Sequence, residues 1–389
     1  MDRVSVGAPR FELEHRDARG AARAGRLATP HGALLTPAFL PVGTYGSVRG
    51  LTPQDLVAVG TQGLLTNTYH LHLRPGEQRV AKLGGLHRFM GWDGPILTDS
   101  GGYQVHSLDR FAKRDENGVS FRSPVDGSSC RLTPENCMSI QAALGADLVV
   151  TLDEFEPIGA GPASPDADEV RNQMQRTLRW AERCRAAHRR QDQLLFGIVQ
   201  GGGFAELRVE SAERTAALGF GAFAIGGLGV GESESLRCDL VERVVAVLPA
   251  PAPRYLMGIG FPRDLVDAVA RGVDLFDCVI PTRHGRHGSV FTREGPLNLR
   301  NARFRDDAGP LDAHCACPVC ARFSRAYLRH LLDAGELLAP RLLSWHNLAY
   351  YLSLMREARA AILEDRFEEW RNVWAKASHS GETPEHSQD

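Results

Sequence analysis

Three aspartates stand at the ends of short apolar runs, where a carboxylate is costly unless it is paired or functional. Asp277 lies within LFDCVIP, Asp99 follows PILT, and Asp153 ends DLVVTLD. Each one alone can be a structural carboxylate that caps a helix or a turn. Three of them at strand ends favour a catalytic pocket, in which two aspartates serve as nucleophile and acid/base for displacement at an anomeric carbon.

The polar groups around Asp153 match the hydrogen-bonding edge of guanine. Its carboxylate offers two acceptor oxygens for the N1–H and N2–H donors of the base. Gln200 and the backbone amides of Gly226–Leu228 offer donors for the O6 atom. Tyr103 and Met257 are candidates to cover the two faces of the ring. The two other aspartates are then left for the chemistry.

Eight short apolar runs carry these residues, and they are too continuous to be half-exposed strands, which indicates parallel strands covered on both faces. They are Phe39–Thr44, Leu64–Tyr69, Pro95–Gly101, Asp147–Asp153, Leu195–Gly201, Phe223–Leu228, Tyr255–Gly260 and Leu275–Pro281. Helix-like segments separate most of them, and two of these segments open with Thr52-Pro53 and Thr133-Pro134. The pattern predicts an α/β fold of the (β/α)8 TIM-barrel type.

The active site of such a barrel lies at the C-terminal ends of its strands, so these ends form the candidate pocket. Their polar and glycine-rich residues are Asn67, Tyr69, Asp99, Ser100, Gly101, Gly102, Asp153, Glu154, Gln200, Gly201, Gly202, Gly226, Gly227, Leu228, Met257, Gly258 and Asp277. The glycines allow a ligand to approach the backbone closely.

The remaining segments lie outside the eight predicted barrel strands and the helices between them. They are predicted as a hairpin at 11–31, an insertion at 103–132 after the third strand, a basic loop after Pro281, a loop-like segment at 293–312, and helices at 322–334 and 345–376. We expect a single catalytic domain, 11–376, which includes a zinc-binding subdomain at 293–350. The polar tail, 377–389, is predicted to have no fixed structure.

One cysteine cluster has the spacing of a metal site. Cys315, Cys317 and Cys320 stand close together, and His346 or His314 can supply a fourth ligand. Four protein ligands leave no coordination position for water, so a Zn²⁺ ion held there is expected to be structural. The other five cysteines are scattered, which indicates a reducing cytoplasm rather than a disulfide framework.

The composition limits how the chain can bind nucleic acid. A net charge of −2 provides no global attraction, so RNA contacts must come from a local patch. One basic segment follows the Asp277 run, where it is either a solvated face or a phosphate-binding surface. Its members are Arg283, His284, Arg286, His287, Arg293, Arg300, Arg303 and Arg305. We find no secretory signal and no apolar run of membrane-spanning length.

A series of motifs resembles one known family across residues 11–375. The segments TDSGGYQ, DLVVTLDE, FGIVQGG, AIGGLGVGE, YLMGIG and FDCVIPTRHGRHG occur in the order found in queuine tRNA-ribosyltransferases, the tRNA-guanine transglycosylases, of bacterial type. The resemblance implies a (β/α)8 barrel with a zinc subdomain. It also implies exchange of guanine 34, the wobble base of tRNAs with a GUN anticodon, for a 7-deazaguanine base in queuosine biosynthesis. Bacterial members use preQ1 and eukaryotic members use queuine.

The resemblance also implies residue roles. Asp277 is the nucleophile that holds the ribose covalently, and Asp99 is the general acid/base. The implied base-binding residues are Ser100, Gly101, Gly102, Tyr103, Asp153, Gln200, Gly227, Leu228 and Met257, with Glu232 steadying the Leu228 peptide. The implied RNA-contacting residues are Gly258, Ile259, Gly260, Phe261, Pro262, Arg263, Asp264, Thr282, Arg283, His284, Gly285 and Arg286. For the metal, the resemblance favours His346 over His314.

Two positions give opposite indications about the incoming base. Val230 has the bacterial form, where queuine users have glycine, and it favours preQ1. Phe155 stands where bacterial members commonly have a small residue. A homodimer is also expected, because five positions match the dimer contact of bacterial members. They are Phe89, Trp92, Phe323, Tyr327 and His330, for which core packing is the alternative.

Two other functional classes remain open from the sequence. A zinc-dependent barrel hydrolase acting on a nucleobase would lose activity with its metal, and it gives Asp277 no role. A non-catalytic RNA-binding subunit need not keep both Asp99 and Asp277, and this chain has both.

Overall fold

The computed structural model describes residues 8–108, 112–154 and 166–378. Its strands are β1 (Arg10–Arg16), β2 (Arg23–Thr29), β3 (Gly32–Thr36), β4 (Ala38–Pro41), β5 (Leu64–Thr66), β6 (Ile96–Thr98), β7 (Lys113–Asp115), β8 (Gly118–Arg122), β9 (Ser129–Leu132), β10 (Leu148–Val150), β11 (Leu194–Val199), β12 (Ala222–Ile225), β13 (Arg254–Leu256), β14 (Leu275–Cys278), β15 (Ser289–Thr292) and β16 (Gly295–Asn298).

The helices fill the connections between the strands. They are α1 (Pro53–Val59), α2 (Thr68–Leu73), α3 (Glu77–Lys82), α4 (Gly85–Met90), α5 (Gly102–Leu108), α6 (Pro134–Leu144), α7 (Ala167–Ala187), α8 (Ala205–Ala217), α9 (Glu234–Val247), α10 (Pro262–Ala270), α11 (Ile280–His287), α12 (Pro318–Arg322), α13 (Arg325–Asp333), α14 (Leu338–Leu363) and α15 (Phe367–Ser378). A 3-10 turn occupies Ala302–Phe304. Two expectations lie outside the described residues, namely Phe155 and most of the predicted tail, 379–389.

Eight parallel strands form the central sheet, in the order β4-β14-β13-β12-β11-β10-β6-β5. A parallel bridge between Val42 and Leu65 joins the two ends of this order, so the sheet curls into a barrel. The predicted TIM-barrel fold is therefore confirmed. Each of the eight predicted runs overlaps one barrel strand, and four of these strands, β4, β11, β12 and β13, begin one residue before the predicted run. Short, fully buried strands such as β10 and β12 are typical of a sheet covered by helices on its outer face.

The barrel interior explains why polar residues end these strands. Leu97, Ile198 and Leu275 belong to one buried cluster that fills the barrel. Side chains alternate along a strand with a period of two. The residues two positions further on, among them Asp99 and Asp277, therefore point inward at the C-terminal mouth.

Local sequence signals fix the start of two barrel helices. Thr52 caps α1 by accepting a hydrogen bond from the Asp55 N–H at 3.1 Å, and the Asp55 carboxylate accepts from the Thr52 N–H at 2.8 Å. Thr133 and Asn136 form the same reciprocal pair at α6. Proline at the first helical position follows both caps, as predicted.

The N-terminal segment closes the bottom of the barrel. β1, β2 and β3 form an antiparallel sheet whose Leu27 and Leu34 join the inner cluster. The predicted hairpin lacked the third strand, which begins at Gly32. The sheet is tied to the barrel by Asp147, which accepts hydrogen bonds from His31 at 2.7 Å and His87 at 3.2 Å. The imidazole rings of His31 and His87 also stack, with their centroids 3.5 Å apart. The three side chains therefore connect the N-terminal sheet to the barrel.

The predicted insertion after the third barrel strand is confirmed in the described residues, where β7, β8 and β9 form an antiparallel sheet. Two other expectations were wrong. The basic loop after Pro281 is the helix α11, and the loop-like segment 293–312 contains β16, which pairs with β15. Helix α11 and strand β15, the partner of β16, are both hydrogen-bonded to α14. The Asn347 side chain donates to the Pro281 carbonyl at 2.9 Å and accepts from the Phe291 N–H at 3.0 Å.

A second hydrophobic core lies outside the barrel and runs from Val290 to Leu343. It includes Cys317 and Cys320, so the cysteine cluster is part of a small packed unit. The bounds 11–376 and 293–350 remain a proposal for the division of the chain. Within the described ranges, the structure has no helix with the length and apolarity needed to cross a membrane.

Candidate active site and metal centre

Asp277 lies inside the barrel mouth with two donors on one carboxylate oxygen. The Tyr255 hydroxyl donates to its Oδ1 atom at 2.5 Å, and the Gly258 N–H donates to the same atom at 2.9 Å. Burial raises the pKa of Asp277, while these two hydrogen bonds oppose the rise by stabilising the charged form. Both of these hydrogen bonds fall on Oδ1.

Asp99 is held at the neighbouring strand end. The Asn67 side-chain amide donates to its Oδ2 atom, and the Thr68 N–H donates to Oδ1 at 2.9 Å. The pKa of Asp99 is raised to about 7. Burial is the largest cause of the rise and the negative charge of Asp277 adds to it, while the hydrogen bonds from Asn67 and Thr68 oppose it. A carboxyl group with such a pKa can both give and take a proton at neutral pH.

Asp153 follows β10, the strand that pairs with β6, after which Asp99 stands. Gln200 donates to its Oδ2 atom at 2.7 Å and Ser100 donates to Oδ1 at 3.1 Å. Burial raises the pKa of Asp153. Gly102 must be glycine here, because a Cβ atom would lie 2.6 Å from an Asp153 oxygen. The structure thus brings together Ser100, Gly102, Asp153 and Gln200, as predicted from the sequence.

Gln200 packs against the turn that follows β12. A Cβ atom at Gly226 would lie 2.6 Å from its Nε2 atom, and one at Gly227 would lie 2.4 Å from its Oε1 atom. Gly227 also has a positive φ of 66°. Only glycines allow this close approach of the Gln200 amide to the turn.

Glu232 fixes the peptide that follows Leu228. Its carboxylate accepts from the Gly229 N–H at 2.5 Å and from the Val230 N–H at 3.0 Å, and the side chain is fully buried. In a trans peptide the carbonyl points opposite to the N–H. The Leu228 carbonyl therefore points away from Glu232.

The two predicted ring-covering residues differ in exposure. Tyr103 lies on α5 and is 51% exposed, whereas Met257 is half-buried and packs against the inner cluster.

The two predicted RNA-contacting segments meet beside Asp277. The Phe261 ring stands edge-on to the His284 ring at 5.9 Å, and the Gly260 carbonyl accepts from the Tyr351 hydroxyl at 2.5 Å. Two members already have partners within the chain: Asp264 pairs with Arg237 at 2.6 Å, and Arg263 pairs with Glu234 at 3.2 Å.

Three arginines lie close together near the mouth, and one of them was not in the predicted basic segment. Burial lowers the pKa of Arg286, and the charges of Arg49 and Arg283 lower it further, so these three cations are neighbours. Arg49, from the segment after β4, was missed because it lies far from the others in sequence. Arg293 lies elsewhere, 3.8 Å from Glu357.

Two further residues of the pocket were also missed. The first is Tyr255, whose inward position on β13 follows from strand alternation. The second is Arg208, which is fully buried on α8. The available signal for Arg208 was its spacing: it shares the buried face of α8 with Ser211, Ala212 and Thr215, where an arginine is unusual.

The predicted metal ligands come together in the second core. Cys315, Cys317, Cys320 and His346 place their ligand atoms within 4.8 Å of one another. His346 directs Nδ1 at the sulfur atoms of Cys320 and Cys317, at 3.3 and 3.6 Å, and its Nε2 lies 2.9 Å from the Phe291 carbonyl. That carbonyl orients the ring as a second partner does in zinc sites.

The rival ligand His314 is directed elsewhere. Its side chain is 57% exposed and lies 3.9 Å from Glu294. Three thiols and one imidazole are the donors that a tetrahedral zinc site uses. The residues present therefore fit a zinc ion.

Comparison with known proteins agrees with this geometry. The sequence profile of the family described as queuine tRNA-ribosyltransferase matches residues 17–380. The chain belongs to the queuine tRNA-ribosyltransferase family. It is accordingly a transferase of the pentosyl class.

Three relatives named queuine tRNA-ribosyltransferase are similar over nearly their whole length. The protein of Thioalkalivibrio sulfidiphilus is 52% identical over 93% of this chain and 95% of its own. That of Thermus thermophilus is 52% identical over 96% of both. That of Symbiobacterium thermophilum is 50% identical over 96% of this chain and 93% of its own. The resemblance inferred from the motifs is confirmed.

Proposed function

We propose that the chain exchanges guanine 34 of tRNAs with a GUN anticodon for a 7-deazaguanine base, as a step of queuosine biosynthesis. The observation that carries the proposal is the pairing of two differently held aspartates at one barrel mouth. Within the described residues, the donors to Asp277 are both on its Oδ1 atom, and Asp99 has a pKa of about 7. Family membership supplies the substrate class.

The proposed chemistry is a double displacement at C1′ of ribose 34. In the first step an Asp277 oxygen forms a bond to C1′, the bond from C1′ to guanine breaks, and Asp99 donates a proton to the leaving base. In the second step the incoming base attacks C1′, the bond to Asp277 breaks, and Asp99 accepts a proton. Two inversions retain the anomeric configuration, which the product nucleoside needs.

The base-binding pocket supports this proposal through its donors and acceptors. The Asp153 oxygens can accept from N1–H and N2–H of guanine or of a 7-deazaguanine, because each carboxylate oxygen has two lone pairs. Gln200 uses one of its two amide hydrogens on Asp153 and keeps one for the base. Tyr103 and Met257 are proposed to cover the ring.

We propose preQ1 as the incoming base. Two observations support it: the Leu228 carbonyl points away from Glu232, where it can accept from an aminomethyl group, and Val230 is half-buried beside this peptide. A larger substituent would meet the Val230 side chain.

We propose that tRNA binds across Gly258–Asp264 and Thr282–Arg286, with the basic cluster of Arg49, Arg283 and Arg286 contacting phosphates. The wobble nucleotide must leave the base stack to reach Asp277. The two segments are in contact beside that residue through Phe261 and His284. This arrangement supports a continuous RNA surface next to the nucleophile.

The metal is proposed to be structural zinc. The four protein ligands would complete a tetrahedral shell, and zinc bound there would stabilise the second core rather than take part in the exchange. A zinc-dependent hydrolase, the alternative from the sequence, would need an open coordination position. A reducing, cytoplasmic location is proposed with it, because all eight cysteines are free thiols.

A homodimer is proposed from exposed residues on two elements. Phe89 is 40% exposed and Tyr327 is 41% exposed, and Phe323 stacks on Tyr327 at 5.5 Å. His330 is exposed on the same helix, whereas Trp92 is buried in the core and does not belong to this surface. Light scattering at micromolar concentration should give the mass of a dimer, and a monomer would reject this part of the proposal.

The decisive experiment is exchange of radiolabelled guanine into unmodified tRNA with a GUN anticodon. Label should enter this tRNA and should not enter the same tRNA with adenine at position 34. The Asp277→Asn variant should incorporate none. Label incorporation by Asp277→Asn equal to that of the unaltered protein would contradict the proposed mechanism, and no incorporation by the unaltered protein would contradict the proposed function.

A further inference from the structure

Arg208 lies fully buried behind the base-binding pocket, and its guanidinium group is held entirely by backbone oxygens. Nε donates to the Gly202 carbonyl at 2.7 Å. The two terminal nitrogens donate to the carbonyls of Gly226 at 2.8 Å and Gly227 at 2.9 Å. One side chain on α8 thus connects the turns that follow β11 and β12, which are the turns that contribute Gln200 and Gly227 to the pocket.

The positive charge of Arg208 is energetically unfavourable at this buried position. In the described ranges of the chain, no carboxylate lies within 4.0 Å of Arg208, and Glu232 is the acid whose charge favours its protonated form. Burial lowers the pKa of Arg208 to about 10, so the group is still charged at neutral pH. Burying an ion without a counter-ion beside it is strongly unfavourable, because the charge loses its hydration. An apolar side chain would fill the same face of α8 without that cost.

The peptide geometry shows what the charge does. In a trans peptide the C=O and the following N–H point in opposite directions. Because Arg208 holds the Gly226 carbonyl, the Gly227 N–H points away from the guanidinium. Because Arg208 also holds the Gly227 carbonyl, the Leu228 N–H points away from the guanidinium as well. Polarisation by the cation strengthens these peptides as donors.

We propose that Arg208 is a positioning residue that aims the N–H groups of Gly227 and Leu228 at the O6 atom of the base and so selects 6-oxo purines. This inference rests on the proposed function, because it assumes that the pocket binds a guanine-type base. It adds to that function that recognition of the O6 atom depends on Arg208, a residue that does not touch the base. Asp153, by contrast, reads the N1–H and N2–H donors.

The test compares the binding of guanine and 6-thioguanine by calorimetry, without tRNA. The two bases share N1–H and the 2-amino group and differ in the acceptor at position 6, where sulfur is the weaker acceptor. In Arg208→Met, guanine affinity should fall about ten-fold, the value of one ordinary hydrogen bond. The affinity for 6-thioguanine should fall much less, so the preference for guanine should shrink.

Two control variants separate positioning from packing. Leu207→Ala removes a buried neighbour on the same helix, which packs against Val170 and Met174, and it should lower the melting temperature while leaving the ratio of the two affinities unchanged. Asp153→Asn should weaken both bases equally, because both present the same N1–H and N2–H donors.

If Arg208→Met does not fold, Arg208→Lys provides the same comparison, since a lysine keeps the charge but cannot hold three carbonyls. The ratio of affinities should again shrink. Equal losses for guanine and 6-thioguanine, or no loss for either, would overturn the assignment. The unaltered protein could prefer guanine over 6-thioguanine and yet fail to exchange guanine into tRNA. That result would reject the proposed function and leave the role of Arg208 intact.

Discussion

The negative charge of Asp277 raises the pKa of Asp99, so the two acids at the barrel mouth are electrostatically coupled. Burial is the larger cause, and together the two effects bring the pKa of Asp99 to about 7. The proposed chemistry needs Asp277 ionised while Asp99 is protonated. A pKa of Asp277 above that of Asp99 would not allow this. Tyr255 and Gly258 stabilise the charge of Asp277 and thereby favour this order.

The first prediction concerns this coupling. Asp277→Asn should lower the pKa of Asp99, because the neighbouring negative charge is lost while burial is retained. Carboxyl titration by infrared difference spectroscopy measures the pKa directly. The control is Asp153→Asn, which should change the Asp99 pKa less, since Asp153 is not among the main causes of its shift. An unchanged or higher pKa in Asp277→Asn would show that the two acids do not interact.

The second prediction concerns stability and pH. Asp99 has a pKa of about 7 in the folded chain, against an ordinary value of 3.8, so between these values the folded state binds more protons than the unfolded state. Stability due to this group is therefore present below the lower value and is lost as the pH rises to about 7. The Asp99→Asn variant has no carboxyl group at this position, so it does not lose this stability as the pH rises.

The melting temperature of Asp99→Asn, relative to the unaltered protein, should accordingly rise between pH 5 and pH 8. Thermal unfolding followed by circular dichroism at several pH values measures the difference. The surface variant Asp168→Asn, at the start of α7, is the control and should show no such trend. A difference that stays constant across this range would contradict the raised pKa.

Most of the fold could be predicted from the sequence because a parallel barrel strand is a continuous apolar run. The eight strands and the position of Asp99 and Asp277 at the mouth follow from that pattern alone. Helix α11 could not be predicted, because Pro281 and Gly285 are typical of a loop. Gly285 instead allows α14 to approach, where a Cβ atom would lie 2.6 Å from the Ser344 nitrogen.

The parts of the site that could not be predicted depend on distant segments. Arg49 joins Arg283 and Arg286 only through the closure of the barrel, which brings the segment after the first barrel strand beside α11. Spacing in the sequence left His346 and His314 both open as the fourth ligand. The family resemblance favoured His346, and the orientation of α14 brings its ring to the cysteines. Arg208 is a charged residue on the buried face of α8. Its role could not be inferred from the sequence, because its hydrogen-bond partners lie in the turns after β11 and β12.

The third prediction concerns the metal. Cys317→Ser should reduce bound zinc and lower the melting temperature by several degrees or more, because a structural metal contributes directly to the free energy of folding. Elemental analysis and thermal unfolding measure the two effects. Cys238→Ser is the matched control, since this half-buried thiol lies outside the cluster. Full stability of Cys317→Ser without zinc would exclude a structural role for the ion.

The fourth prediction concerns the incoming base. The unaltered protein should incorporate preQ1 in preference to queuine when the two compete against labelled guanine in tRNA. Val230→Gly should improve queuine incorporation about ten-fold, because removing the side chain gives room for the larger substituent. Val57→Gly, an exposed position on α1, should leave the preference unchanged. Preferential use of queuine by the unaltered protein would show that Val230 does not set the selection.

The fifth prediction concerns the covalent intermediate. With 9-deazaguanine present, tRNA should stay linked to the protein, because this base has carbon in place of N9. It therefore lacks the nitrogen that would attack C1′ and break the bond to Asp277. The linked species should survive denaturing gel electrophoresis and should be absent from Asp277→Asn.

Affinity for tRNA should remain close to normal in that variant, since the substituted side chain has nearly the same shape and Tyr255 and Gly258 would keep their places beside the RNA surface. Asp99→Asn should form much less of the linked species, because the leaving base lacks its proton donor, although its nucleophile is intact. The contrast between the two variants identifies which aspartate carries the ribose. A linked species that forms equally well in Asp277→Asn would assign the nucleophile to another residue.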